Sequence, residues 1–216
     1  MALGIHIFGA SGSGTTTLGR AVAARLRCSH LDTDDYFWVP TDPPYVTIRP
    51  REERCRLLGA DLDRVGGFVL SGSICGPGDY WGRPFVERFA LAVFLRVPTA
   101  VRMRRLRERE RERFGAALEP GGAMHEEHVA FLKWAEQYDT FPPTERSLAL
   151  HEEWIATLAC PVLRLDGERP AQELTDEVAA AWAGPTTAPR VERSGAGRTG
   201  GPNEAMMAKE TVQCPR

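Results

Sequence analysis

Lysine is almost missing from this chain of 216 residues: of its 27 basic side chains only Lys133 and Lys209 are lysines, and the other 25 are arginines. Acidic residues number 29, so the formal charge is −2, which argues against a general binder of polyanions. Long apolar runs are missing as well. Stretches such as Phe89 to Leu95 fall far short of the ~20 residues that a membrane span needs. The amino terminus has neither a basic region nor a small-residue cleavage site, so the expected location is the cytosol, with no membrane partner. The five cysteines, Cys28, Cys55, Cys75, Cys160 and Cys214, are odd in number and form no C-x-x-C pair. Neither a disulfide framework nor a zinc site is expected from them. No internal repeat at the period of solenoids or propellers is present.

What is there is an ordinary globular composition, 43% hydrophobic and 26% charged. The length predicts one domain and something extra. Apolar runs at Leu3 to Phe8, Ser29 to Leu31, Phe68 to Leu70, Ala90 to Val97 and Pro161 to Leu165 read as buried strands. Thr15 to Arg27, with Leu18, Val22 and Leu26 on one face, and Arg51 to Val65 read as helices. Alternating strands and helices predict an α/β protein with a parallel sheet covered on both faces. From Gly184 to Arg216 small and polar residues dominate, so residues 184–216 are expected to be a disordered tail behind a domain of residues 1–183.

The most specific motif lies between the first strand and the first helix. Gly9-Ala-Ser-Gly12-Ser13-Gly14-Thr15-Thr16 has the G-x-x-x-x-G spacing of a Walker A loop. Its glycines let successive N–H groups turn inward onto phosphate oxygens, and the helix amino end adds its positive dipole. Gly9, Gly12, Ser13, Gly14 and Thr15 are the expected phosphate cradle, with Thr16 where such loops hold Mg2+. Thr15 departs from the motif: it stands where the lysine that reaches the β- and γ-phosphates belongs. No lysine precedes Lys133. Either an arginine brings the charge or the site no longer transfers phosphate.

With this loop and this order of elements, residues 1–183 resemble the P-loop kinases of small molecules, the family of adenylate, cytidylate, shikimate and gluconate kinases. The resemblance implies a P-loop NTPase-type three-layer fold with a five-stranded parallel sheet, and use of ATP and Mg2+ with a small-molecule acceptor, a nucleotide among the candidates. It also implies a substrate-binding insertion, here residues 36–65, and an arginine-bearing lid, here residues 102–123.

Asp32-Thr-Asp34-Asp35 resembles the D-x-D that shikimate-type kinases place beside substrate and metal. Asp34 is then the candidate catalytic residue, a carboxylate to accept the proton of an attacking hydroxyl or to orient metal-bound water, and Asp32 a substrate contact. A helix cap followed by a turn explains the same residues. Ser71-Gly72 stands where adenylate-type kinases carry Asp-Gly. Asp79 and Arg83, in a Gly-rich aromatic loop, and Arg49, in the insertion, are candidate substrate contacts; a plain surface turn and solvent-facing arginines are the competing readings. Arg102 to Arg113 holds seven arginines and three glutamates. Arg105, Arg109 and Arg113 share one helix face and are the lid candidates, against a solvated, salt-bridged helix as the alternative. The glutamates disfavour nucleic acid as a partner. His125-Glu-Glu-His128 lacks a third ligand, and Phe131, Trp134 and Tyr138 read as a core stripe. Asp166 and Gly167, after the last strand, fall where such kinases touch the nucleotide base. The expected function is γ-phosphoryl transfer from ATP, with an ATP-binding regulator that does not transfer phosphate as the alternative.

Overall fold

A computed structural model describes residues 3–76 and 81–182. Asp79 and the segment 184–216 lie outside the described residues. Five strands, β1 (Leu3–Gly9), β2 (Ser29–Asp32), β3 (Gly67–Ser71), β4 (Phe89–Arg96) and β5 (Val162–Asp166), form one sheet in the order β2-β3-β1-β4-β5. Every pairing is parallel. The helices are α1 (Thr15–Leu26), α2 (Thr33–Phe37), α3 (Arg51–Arg64), α4 (Thr99–Phe114), α5 (His125–Glu136), α6 (Leu148–Ala156) and α7 (Ala171–Ala181). None is long and apolar enough to cross a membrane.

The alternation of side chains along each strand builds the three layers. Ile5 and Ile7 of β1, Val69 of β3 and Leu91, Val93 and Leu95 of β4 pack with Leu18 and Val22 of α1 and Leu174 and Val178 of α7. On the other face, Phe8, Phe68, Leu70, Ala92 and Phe94 meet Leu58 and Leu62 of α3 and Trp154 of α6. Burial on both faces explains why strands such as Phe89 to Leu95 read as unbroken apolar runs. Each fully buried Leu, Ile, Val or Phe of these layers contributes about 1.5–3 kcal/mol. His6 points into the α6 face, stacked between Phe8 at 4.9 Å and Phe89 at 4.8 Å. Burial pushes its pKa down to about 4, so the ring is neutral. Its Nε2 lies 3.0 Å from the Gly72 carbonyl, which ties β1 to the turn after β3.

Three helices start directly after a proline, α3 after Pro50, α4 after Pro98 and α7 after Pro170. Proline suits these positions because its ring holds a helix-compatible φ and it lacks an N–H that would have no acceptor there. The bounds of α1 and α3 match the sequence expectation to within a residue. The insertion differs: residues 33–37 form the one-turn α2, and Trp38 bridges to Ile48 where only a loop was expected. The stretch with the four prolines is otherwise the loop expected of it. The expected lid at 102–123 takes in most of α4 and the turn beyond it, and α5 folds back on α4 through Met103, Leu106, Ala135, Phe131 and Trp134. Of the expected aromatic stripe, Phe131 and Trp134 face the core of this helical arm, while Tyr138, beyond the end of α5, lies against Arg102 and His151.

Candidate active site

The carboxyl ends of the parallel strands open into one cleft, the usual place for a ligand in such sheets. At its centre β1 runs out at Gly9 and the chain turns through Ala10 to Gly14 before α1 begins. Gly14 caps α1 with φ 95°, and no side chain caps the helix. The first N–H groups of α1 are thus left open, and a methyl group added at Gly14 would meet nothing within 4 Å. Gly12, at φ 80°, is wedged instead: a Cβ there would come within 2.8 Å of the Arg102 carbonyl on α4. The Ser13 hydroxyl is buried and has no hydrogen-bond partner. Open backbone donors at the start of α1, with a buried unpartnered hydroxyl beside them, fit a phosphate group. The half-buried side chain at position 15 is a threonine, so the loop itself holds no cation.

Beside the loop, the Thr16 hydroxyl donates to Asp32 Oδ2 at 2.8 Å. Ser71 Oγ donates to the same oxygen at 3.3 Å and lies 2.8 Å from His30 Nε2. Ser71 has one proton to give, so His30 donates to Ser71. The other carboxylate oxygen of Asp32 accepts the backbone N–H of Asp34 at 3.1 Å and caps α2. Asp32 is thus a helix cap through one oxygen and the partner of Thr16 through the other. Asp32, the expected substrate contact, lies against Thr16, the expected metal residue, because β2 and β1 flank β3 and point their ends at one spot. A hydroxyl against a carboxylate fits Mg2+, which takes one or two protein oxygens and completes its shell with phosphate and water. Among the described residues no cluster of three or more His, Cys, Asp or Glu is placed to hold a metal by itself.

Asp34 is exposed to the cleft yet hemmed in by protein. Desolvation raises its pKa above the usual carboxylate value, and Asp32 raises it further, while Arg146 and Arg109 pull it down. Across the cleft the arginines have separate engagements. Arg105 donates to the Ser13 carbonyl at 3.4 Å and to the Gly167 carbonyl at 3.1 Å, clamping the loop to the turn after β5. Arg109 is paired with Glu110 at 2.7 Å. Arg113 donates to the Tyr45 hydroxyl at 3.1 Å and lies 5.2 Å from the centre of its ring, so arm and insertion touch.

A family model described as AAA domain matches residues 5–119, which hold the loop, the D-x-D and all of α4. The chain belongs to this AAA-domain family. Protein YqaC of Bacillus subtilis (strain 168), uncharacterized, is 43% identical over 174 residues, 81% of this chain and 94% of YqaC. Among solved structures, the shikimate kinase of Acinetobacter baumannii in complex with shikimate is similar with a TM-score of 0.51 and 17% identity, over 84% of this chain and 93% of that one. The shikimate kinase of Bacteroides thetaiotaomicron gives a TM-score of 0.50 and 21% identity, over 83% and 97%. These two likenesses show the fold: this AAA-domain protein has the five-stranded P-loop architecture of the shikimate kinases.

Other expected contacts are distributed unevenly in this AAA-domain protein. Gly167 lies at the cleft, while the Asp166 carboxylate accepts the Glu168 N–H and shapes the turn. Arg49 is fully engaged inside the insertion, with the Tyr36 and Trp38 carbonyls and with Glu53. Arg83 is exposed on the turn leading toward the amino end of β4. Arg102, counted with the lid, is fully buried, bonded to the Val97 and Ala135 carbonyls and paired with Asp139 at 3.0 Å.

Two features went unread in the sequence. Arg146, just before α6, reaches the cleft with Nη2 3.5 Å from the Gly9 carbonyl. Behind it, the Tyr138 hydroxyl lies 2.6 Å from His151 Nδ1, and His151 Nε2 lies 3.0 Å from Ser73 Oγ, which donates to the Cys75 carbonyl at 3.1 Å. Proton counting orients this chain from Tyr138 to Cys75, with His151 neutral, its pKa held well below the usual value by burial and by Arg146. One arginine among 25 carries no periodic signal, and residues 73, 138 and 151 meet only in space.

Proposed function

We propose that this protein is an ATP-dependent phosphotransferase that moves the γ-phosphoryl group of ATP to a hydroxyl of a small-molecule acceptor. The observation that carries the reading is the meeting of Thr16 and Asp32 at 2.8 Å beside an open phosphate loop, with Asp34 two residues on at the cleft. The shikimate-kinase fold supports it.

In this reading the open N–H groups of the loop and the Ser13 hydroxyl bind the ATP phosphates. Thr16, with Asp32 behind it, would hold Mg2+, which when bound neutralises phosphate oxygens. Asp34 accepts the proton of the acceptor hydroxyl; the freed oxygen forms its bond to the γ-phosphorus as the bond to the β–γ bridging oxygen breaks, and ADP leaves. A carboxylate whose pKa is raised holds that proton better than an ordinary one. Most of the rate comes from positioning and charge neutralisation.

An ADP-release screen of purified protein with Mg·ATP against nucleoside monophosphates and small hydroxy acids tests this. The expected result is ADP formed in step with a phosphorylated acceptor. Thr15 favours one competing reading, a nucleotide-binding regulator; ATP binding without ADP formation across the panel selects it.

A further inference from the structure

A loop that cradles polyphosphate must be met by positive charge, and this one has a threonine where the lysine belongs. The arginines expected to compensate are otherwise engaged. Arg105 bonds two backbone carbonyls, Arg109 holds Glu110, and Arg113 lies on Tyr45. Lys133 is exposed on α5.

Arg146 differs from all of these. Ser147 fixes its backbone by capping α6, accepting from Leu150 N–H at 3.1 Å while donating to the Pro142 carbonyl at 2.9 Å. Its guanidinium carbon lies 5.7 Å from the centre of the Trp134 ring. Its Nε is buried with no partner, and no carboxylate pairs with it among the described residues. The nearest acceptor named for it is the Gly9 carbonyl at 3.5 Å, a weak contact. Asp34 feels the charge of Arg146 but forms no ion pair with it, and the unsatisfied buried Nε is costly to keep. Its location at the first residue of the phosphate loop identifies the missing anion.

We infer that Arg146, reaching over from the start of α6, supplies the phosphate-neutralising charge that a conventional Walker A lysine brings from position 15. The inference rests on the nucleotide-binding reading of the loop. The cation comes from the opposite wall, and its planar fork suits two phosphate oxygens at once.

The test is calorimetric binding of a non-hydrolysable ATP analogue with Mg2+, and of AMP, to the full chain. Arg146→Gln should weaken the analogue by about tenfold or more, the scale of one charge-assisted contact, and leave AMP nearly unchanged. Adding Thr15→Lys to Arg146→Gln should restore analogue affinity to within about threefold of wild type, because the charge returns by the ordinary route. Arg146→Met, which keeps the stem against Trp134, serves as a second neutral variant should the glutamine variant melt early. Analogue affinity indifferent to Arg146 in a folded variant overturns the inference and leaves the nucleotide reading standing. So does a loss that Thr15→Lys does not repair. A wild type that binds no analogue overturns both.

Discussion

On the floor of the cleft four polar side chains, Thr16, Asp32, Ser71 and His30, share a single run of hydrogen bonds, whereas the seven arginines of α4 have no common task. The floor draws its members from α1, β2 and β3, and each is held by the next. On the arm, Arg102 is a buried staple, Arg105 a clamp between loops, Arg109 an ion pair and Arg113 a contact to the insertion, while Arg104 and Arg107 face solvent. A dense run of one residue type is thus a poor guide to chemistry; connection to the strand ends is the better one. Arg146, the cation proposed to meet the phosphates, stands outside the run.

The sharpest way to break this contrast is at the floor. Asp34→Asn should lower turnover by about 10²–10⁴-fold, the usual worth of a positioned base, with analogue binding retained; turnover near wild type would remove Asp34 from the reaction. On the arm the largest effect should be on stability. Arg102→Leu strands two buried carbonyls and half of an ion pair, and the expected cost of about 3 kcal/mol should lower the melting temperature by roughly 6–12 °C.

A smaller effect should cross from arm to floor. In the proposed reaction Asp34 works only as the anion, so the rate should fall as pH drops through its pKa, which desolvation has raised. Arg109 favours the anion. Arg109→Ala should therefore move the acid limb of the kcat/KM profile to higher pH, by under about one unit for an exposed charge; a limb that stays or moves down breaks the link. Smallest of all, Arg104→Ala should change stability by less than about 0.5 kcal/mol and leave turnover alone, as for a solvated position. Loss of turnover there would return the lid role to the whole arginine run.

The sheet and the phosphate loop were legible in the sequence because their signals are local. Apolar runs of strand length mark a sheet buried on both faces, and glycine spacing marks a loop that must curl. Asp32 was legible as a residue of interest, but its bond to Thr16 was not, since it depends on the ends of β1 and β2 converging across β3. The roles of Arg102 and Arg105 were equally hidden: three positions apart in one helix, one faces the interior of the arm and the other faces two loops.

By itself the sequence determined the order of strands and helices, the place of the phosphate loop and the absence of its lysine, all consequences of neighbouring residues and their periodicity. Only the tertiary structure decided which charges meet. Arg146 is 137 positions from Gly9 and lies 3.5 Å away from its carbonyl. Such a contact is set by how α6 packs on the sheet, and no pattern within a window of residues can encode it.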